Sequence, residues 1–107
     1  MAEFKHISPQ DAHTLITSDQ CQLADIRDEQ SYGLAHIPNA SHLDNQSLQQ
    51  FIENADPDQA LIVYCYHGNS SQSAAQYLVE KDFTEVYSMD GGFEMWRQLY
   101  PQNTTTG

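Results

Sequence analysis

The chain has 107 residues, of which 39% are hydrophobic, and this size and composition predict one globular domain with its own core. Its formal net charge of −11 disfavours binding to nucleic acid or to anionic membrane surfaces. No apolar run approaches the roughly 20 residues that cross a bilayer, and the N-terminus lacks the apolar stretch of a signal peptide. We therefore expect a single cytoplasmic domain over residues 1–107, with no nucleic-acid or membrane partner.

The first part of the chain carries two strand signals, and a helix start follows each of them. Residues 4–7 form a short candidate strand, and Ser8 followed by Pro9 has the pattern of a serine-capped helix start. Residues 22–27 form the second candidate strand, and Asp28 can cap a short helix behind it. Strand and helix therefore alternate from the beginning.

Polar residues around the end of the second strand are predicted to have structural roles. Asp25 and Arg27 lie two positions apart and face the same side, where a buried acid needs either backbone amides or Arg27 as its partner. Residues 35–40 are rich in turn signals. His36 is expected to pin this passage by hydrogen bonds rather than to act as an acid or base.

A third unit follows the turn passage. Residues 41–43 form a short candidate strand, and Asp44 is expected to cap the next helix. Leu48, Phe51 and Ile52 have the spacing of one apolar helix face.

The central unit runs from a buried strand through a polar loop into a helix. Residues 61–64 are apolar without alternation, as in a strand that is buried on both faces. Cys65 follows at the carboxyl end of this strand. The loop behind it consists of Tyr66, His67, Gly68, Asn69 and Ser70.

This loop has the features of an anion-binding site. Its amides and those of the next helical turn lack internal partners, so they stabilise a thiolate at Cys65 and lower its pKa. Gly68 can take a positive φ and so lets the backbone curl round the sulfur. Asn69 and Gln72 have the spacing of a capping box. The alternative is a buried, inert cysteine in an ordinary connection.

The helix after the loop is predicted from apolar residues at helical spacing. These residues are Ala74, Ala75, Leu78 and Val79. By their polarity, Ser71, Gln72 and Gln76 are assigned to its solvent side, although Ser71, like Ser70, is also considered as a hydroxyl donor to the site.

The last unit is a strand, a tight turn and a helix. Residues 85–88 form the strand, and residues 90–92 form the turn. The apolar face of the helix is expected to consist of Phe93, Trp96, Leu99 and Tyr100. Residues 102–107 have nothing to bury and are expected to fray. The whole pattern predicts an α/β fold with a mostly parallel sheet and helices on both faces, and its sites lie at the carboxyl ends of the strands.

Three segments together resemble the rhodanese family of sulfurtransferases. The first combines residues 25–27 with Tyr32 and residues 35–40, although Ala35 stands where a glycine is usual. The second is the strand that ends in Cys65, with its six-residue loop 65–70. The third is residues 86–92 followed by Trp96.

The resemblance implies a five-stranded α/β domain with thiosulfate sulfurtransferase activity and no cofactor. Cys65 would accept the sulfane sulfur as a persulfide, and residues 66–70 would cradle an anionic sulfur donor. The acceptor would be cyanide or a thiol, such as that of a thioredoxin-like protein. Because the loop contains no arginine or lysine, we expect weak thiosulfate binding. His67 is expected on the outer rim of the loop.

Two alternative functions are compatible with a cysteine in such a loop. Phosphatases and arsenate reductases also place a cysteine in an anion-binding loop, but their chemistry needs a longer loop closed by an arginine, and Ser70 and Ser71 are uncharged. The second alternative is that the domain is a non-catalytic module or a persulfide carrier. A metal site is disfavoured, because Cys65 and His67 lack a further pair of ligands at suitable spacing.

Overall fold

The architecture is one parallel sheet with helices on both faces, as a computed structural model describes it for residues 3–106. The strands are β1 (Lys5–Ile7), β2 (Gln22–Asp25), β3 (Ser41–His42), β4 (Leu61–Tyr64) and β5 (Val86–Met89). The helices are α1 (Pro9–Thr17), α2 (Glu29–Leu34), α3 (Leu48–Asn54), α4 (Ser70–Glu80) and α5 (Gly92–Leu99), followed by a 3₁₀ turn at Pro101–Asn103. The sheet order is β1-β5-β4-β2-β3, and every strand pair is parallel.

Strand β4 lies at the centre of the sheet and is buried on both faces. Its side chains alternate between two apolar clusters: Ile62 and Tyr64 belong to the cluster that includes Trp96 of α5, whereas Leu61 and Val63 belong to the cluster on the α4 side. This explains the continuous apolar run in the sequence, because neither face of β4 meets solvent. The predicted α/β fold with a five-stranded, helix-covered sheet is confirmed.

The first two predicted helix caps are present. The Ser8 hydroxyl accepts a hydrogen bond from the Asp11 amide at 3.1 Å, at the start of α1. The Asp28 carboxylate accepts one from the Ser31 amide at 3.0 Å, at the start of α2. Each cap satisfies an amide that has no partner within its helix.

The cap predicted at Asp44 is wrong. Its carboxylate accepts hydrogen bonds from the amides of Gln46 at 2.8 Å and Ser47 at 2.9 Å, and so closes a turn ahead of α3. The helix begins later, at Leu48, with Ser47 in the capping position. The short aspartate side chain binds the nearest free amides in a local turn, and this arrangement competes with helix capping.

Residues 102–106 also differ from the expectation that the segment 102–107 frays, whereas residue 107 lies outside the described residues. The indole Nε1 of Trp96 donates to the Asn103 carbonyl at 3.0 Å. The backbones of His36 and Thr105 exchange two hydrogen bonds of 2.8 Å each in an antiparallel bridge. Backbone pairing with a distant loop therefore fixes these residues in the absence of apolar side chains.

Leu99 does not belong to the buried face of α5, because it is 44% exposed. Leu78 of α4 is 1% exposed and packs in the core. The same substitution at the two positions therefore separates burial from leucine chemistry.

We expect Leu78→Ala to lower the free energy of unfolding by about 2–5 kcal/mol, because it removes buried methyl groups and leaves a cavity. Leu99→Ala should change it by less than about 1 kcal/mol. Urea denaturation of both variants and the parent measures the difference. Equal losses at the two positions would contradict the packing described here.

Candidate active site

Cys65 directly follows β4, between the ends of the neighbouring strands β2 and β5. Parallel strands end together at this edge, which is where ligand sites of such sheets form. The residue is 5% exposed, and the loop behind it returns at once into α4. The thiol therefore lies at the base of a concave loop.

Two backbone amides donate to the cysteine sulfur, and a hydroxyl that can donate to a thiolate lies beside it. The amide of Gly68 lies 3.1 Å from Sγ, and the amide of Ser71 lies 3.2 Å from it. The Ser71 hydroxyl is 3.4 Å away. Such a set of donors stabilises negative charge on the sulfur more than it stabilises the neutral thiol.

The pKa of Cys65 is lowered from its ordinary value by this arrangement. Burial is the largest influence and acts to raise the pKa, but the hydroxyl and amide of Ser71 and the amides of Gly68 and His67 together outweigh it. Cys21 shows the opposite case, because burial and the neighbouring Asp19 raise its pKa to about 11. Both cysteines are free thiols.

The loop takes its shape from close contact with the turn that precedes α5. The first amides of α5 hold two loop carbonyls: Phe93 N donates to Cys65 O at 2.8 Å, and Glu94 N donates to Tyr66 O at 3.0 Å. These bonds fix the Cys65 and Tyr66 carbonyls, and with them the peptides that lead to the Gly68 amide at the sulfur. Helix α5 thus orients the donors of the site without touching the sulfur itself.

Glycine is required where the two segments meet. Gly68 has φ +91°, and a Cβ there would lie 2.9 Å from the Gly91 nitrogen. Gly92 has φ +61°, and a Cβ there would lie 2.5 Å from Tyr66 O and 2.6 Å from Cys65 O. A side chain at either position meets backbone atoms that have no room to move.

The structure separates the predicted loop residues into a base and a rim. Gly68 is buried beside the sulfur. The other four, Tyr66, His67, Asn69 and Ser70, are exposed. The placement of His67 on the outer rim agrees with the sequence interpretation.

The assignment of Ser71 to the solvent side of α4 is wrong. The residue is completely buried, and both its amide and its hydroxyl lie within hydrogen-bonding distance of Cys65 Sγ. Ser71 precedes Ala75 and Leu78 by one and two helical turns and therefore lies on the same face as these core residues.

The predicted capping box is absent. Asn69 occupies the N-cap position of α4 with helical φ and ψ and makes no capping bond with its side chain. The Gln72 amide group instead donates to the Gly68 carbonyl at 2.9 Å. Gln72 therefore braces the loop from the helix side.

One buried residue at the site was missed by the sequence reasoning. Ser88 of β5 is 1% exposed, and its hydroxyl lies 2.7 Å from the Ser71 hydroxyl. It follows Val86 by two positions in the strand, so it faces the same apolar cluster next to α4. A small polar residue in an otherwise apolar strand is the signal that identifies it.

Asp25 and Arg27 form a buried ion pair near the site. The Arg27 Nη2 lies 2.7 Å from the Asp25 carboxylate, which also accepts the Arg27 backbone amide at 2.8 Å. Asp25 therefore has both of the predicted partners, a backbone amide and the Arg27 side chain. The guanidinium lies 4.2 Å from the Phe93 ring centroid, and its Nη2 donates to the Ala35 carbonyl at 2.6 Å. Because Asp25 neutralises it, Arg27 adds little net positive charge to the site.

His36 has the structural role that its sequence context indicates. It is buried, its Nδ1 lies 2.8 Å from the Tyr32 carbonyl, and its ring stacks on the Tyr32 ring. Within residues 3–106 no group of three or more His, Cys, Asp or Glu side chains is placed to bind a metal ion. Over the same range no helix combines the length and apolar character needed to span a membrane.

Comparisons with known proteins agree on one family. The rhodanese-like domain family matches residues 8–99. The thiosulfate sulfurtransferase GlpE of Ectopseudomonas mendocina is 58% identical over 107 residues, which are 100% of this chain and 97% of the relative. GlpE of Pseudomonas syringae is 54% identical over 100% of both chains. In fold, the chain is similar to the rhodanese-like domain of the Alr3790 protein from Anabaena, with a TM-score of 0.83, 17% identity, and coverage of 95% of this chain and 79% of that one.

The contact between the loop and the α5 turn gives a prediction about glycine. Gly92→Ala should lower the free energy of unfolding by about 2 kcal/mol or more, because its Cβ meets two carbonyl oxygens at a positive φ. The matched control is Gly33→Ala in α2, where nothing lies within 4 Å of the added atom. That change should stabilise the protein by about 0.5–1 kcal/mol. Thermal or urea unfolding checks both signs, and a neutral Gly92→Ala would refute the close contact.

The two thiols are predicted to titrate in separate pH ranges. In the Cys21→Ser variant, Cys65 should form its thiolate below the ordinary pKa of a thiol, because the anionic form gains hydrogen bonds. In the Cys65→Ser variant, Cys21 should deprotonate only near its raised pKa of about 11. Thiolate absorbance against pH measures both. The reverse order of titration would contradict the donor arrangement round Cys65.

Proposed function

The chain belongs to the rhodanese family, and we propose that it is a thiosulfate sulfurtransferase with Cys65 as the sulfur acceptor. The main supporting observation is a thiol at the end of a central strand whose sulfur accepts two backbone amides and lies 3.4 Å from a buried hydroxyl. Relatives that are 54% and 58% identical over the whole chain bear the name thiosulfate sulfurtransferase, and this supports the proposal.

The first half-reaction is a displacement at sulfur. The Cys65 thiolate attacks the outer sulfur of thiosulfate, a new S–S bond forms, and the bond between the two sulfur atoms of thiosulfate breaks. The electron pair of that bond leaves with sulfite. No general base is needed once the thiolate is present, because thiosulfate carries no proton and sulfite departs as an anion.

The second half-reaction returns the enzyme to its starting state. A nucleophile such as cyanide or a thiolate attacks the outer sulfur of the persulfide, and Cys65 leaves as a thiolate. Cyanide gives thiocyanate, and a thiolate gives a new persulfide on the acceptor. The donors round Sγ stabilise the leaving thiolate as they stabilised the attacking one, and this is a preorganised electrostatic contribution.

We propose that the exposed rim of the loop binds the anionic donor weakly. The rim offers the Ser70 hydroxyl and the side chains of Tyr66, His67 and Asn69, none of which carries a fixed positive charge, while the Gly68 amide lies below it at the sulfur. Arg27 is neutralised by Asp25. Arg97 is paired with Glu94 at 2.6 Å. With a chain charge of −11, the affinity for thiosulfate therefore depends on short-range dipoles.

A thiol on another protein is the proposed acceptor, with a thioredoxin-like protein as the chemical type. Cys65 has no second thiol beside it among the described residues, since Cys21 lies elsewhere in the fold. The persulfide must therefore be discharged by an external nucleophile. Dithiol proteins of reducing compartments fit this need, and the lack of a disulfide fits a cytoplasmic location.

Phosphatase chemistry is disfavoured by the same residues. A tetrahedral phosphate ester needs a cation that grips its oxygens in bidentate fashion. Ser70 and Ser71 stand where that cation would be expected, and the Ser71 hydroxyl is already engaged with Cys65 and Ser88. The loop therefore suits attack on a sulfur atom better than attack on phosphorus.

The proposal predicts a gain of one sulfur atom on the reduced protein after thiosulfate, removed again by cyanide with formation of thiocyanate. Intact-mass measurement before and after each reagent is the readout. Cys65→Ser should abolish both the mass gain and turnover, because the nucleophilic sulfur is lost. Cys21→Ser is the matched control and should retain both.

Turnover that is retained in Cys65→Ser would contradict the proposed mechanism. Absence of a mass gain in the parent, with Cys65 verified as reduced, would favour a binding module instead. Phosphate and arsenate esters are then the next substrates to test. Turnover of either would support the hypothesis of phosphatase or arsenate reductase activity.

A further inference from the structure

We propose that Ser88 is a positioning residue which, through Ser71, delivers a hydroxyl hydrogen bond to Cys65 Sγ whenever that sulfur carries negative charge. The proposal rests on the proposed sulfur transfer and assigns a role to a residue outside the cysteine loop. It starts from a line of three groups: Ser88 Oγ lies 2.7 Å from Ser71 Oγ, which lies 3.4 Å from Cys65 Sγ.

All three groups are buried. Ser71 is 0% exposed, Ser88 is 1% exposed and Cys65 is 5% exposed. No buried side-chain nitrogen or oxygen atom in residues 3–106 lacks a partner, and the hydroxyl–hydroxyl contact is the side-chain bond that satisfies Ser88. Buried hydroxyl groups without partners are costly, so the two serines depend on each other.

The direction of the hydrogen bonds must change with the charge on the sulfur. When Cys65 is a thiol, its S–H can donate to Ser71 Oγ. When it is a thiolate, Ser71 must donate to the sulfur, which leaves the Ser71 oxygen free to accept. Ser88 is the hydroxyl within reach of that oxygen. A donor behind Ser71 polarises its O–H group and strengthens the bond to the thiolate.

The position of the two serines favours one charge state of the catalytic cycle. In the persulfide the negative charge lies on the outer sulfur, about 2 Å from Sγ along the new S–S bond. The serines lie at Sγ, so they stabilise the thiolate more than the persulfide anion. In the second half-reaction Sγ is the leaving group, and a better stabilised thiolate leaves faster.

Loss of the Ser88 hydroxyl should therefore affect the two half-reactions unequally. Discharge of the persulfide slows, because the leaving thiolate is less stable. Attack on thiosulfate, measured at a pH where Cys65 is fully ionised, is maintained or slightly faster, because a more basic thiolate is a better nucleophile. A purely structural defect that misplaced the loop would slow both steps.

The test compares Ser88→Ala with Ser73→Ala, an exposed position on α4 outside the site. Thiolate absorbance is titrated in variants that also carry Cys21→Ser, and single-turnover mass measurements follow persulfide formation and its discharge by cyanide. For Ser88→Ala we expect the thiolate fraction near neutral pH to fall about fivefold, as for loss of one hydrogen bond. Discharge should slow about twofold, and Ser73→Ala should match the parent in every readout.

A second pair of variants protects the test against a folding defect. Ser88→Thr keeps the hydroxyl. Ser88→Val has the same shape as threonine but carries a methyl group in place of the hydroxyl, and both residues favour strands. We expect Ser88→Thr to have the thiolate titration and the discharge rate of the parent. We expect Ser88→Val to show the lower thiolate fraction and the slower discharge of Ser88→Ala.

Three results would contradict the role of Ser88. An unchanged titration in Ser88→Ala, or equal behaviour of Thr and Val, overturns the role of Ser88. So does a parallel slowing of both half-reactions. If the parent forms no persulfide, the proposed function fails, and the titration alone decides whether Ser88 acts on the sulfur.

Discussion

The site depends on the contact between two backbone segments, the loop at residues 65–68 and the turn at residues 89–92. The amides of α5 hold the carbonyls of Cys65 and Tyr66, and the Gly68 amide of the same loop donates to the sulfur. This approach is possible only without side chains at Gly68 and Gly92. The nucleophile thus follows β4, and the loop that brings the Gly68 amide to it is held in shape by the start of α5, more than twenty residues later in the chain.

Much of the fold and the centre of the site could be predicted from the sequence, because the signals are local. The unbroken apolar run of β4 identified a strand buried on both faces, and the spacing of Asp25 and Arg27 placed them on one side. Gly68 was predicted to take a positive φ, and it does. Each of these inferences needs only a few neighbouring residues and a known backbone period.

The errors arose where polarity was taken for exposure or where the partner was remote. Ser71 was placed in solvent because serine is polar, although its spacing from Ala75 puts it on the buried face of α4. Ser88 has its partner 17 positions away, and the tail at Thr105 pairs with His36. A single sequence does not encode such partners as a local pattern, so polar groups that are satisfied at long range escape prediction.

On the proposed mechanism, the lack of a fixed charge in residues 66–70 suits the path of the negative charge during turnover. Negative charge begins on Sγ, moves to the outer sulfur in the persulfide and returns to Sγ on discharge. A fixed guanidinium at the mouth would stabilise the persulfide anion and the bound donor, and would slow release of sulfur to an acceptor. Amides and hydroxyls spread along this path, with the serine pair at its inner end, stabilise each position moderately. On the proposed mechanism, a loop without arginine or lysine lowers the affinity for the donor but keeps the persulfide easy to discharge.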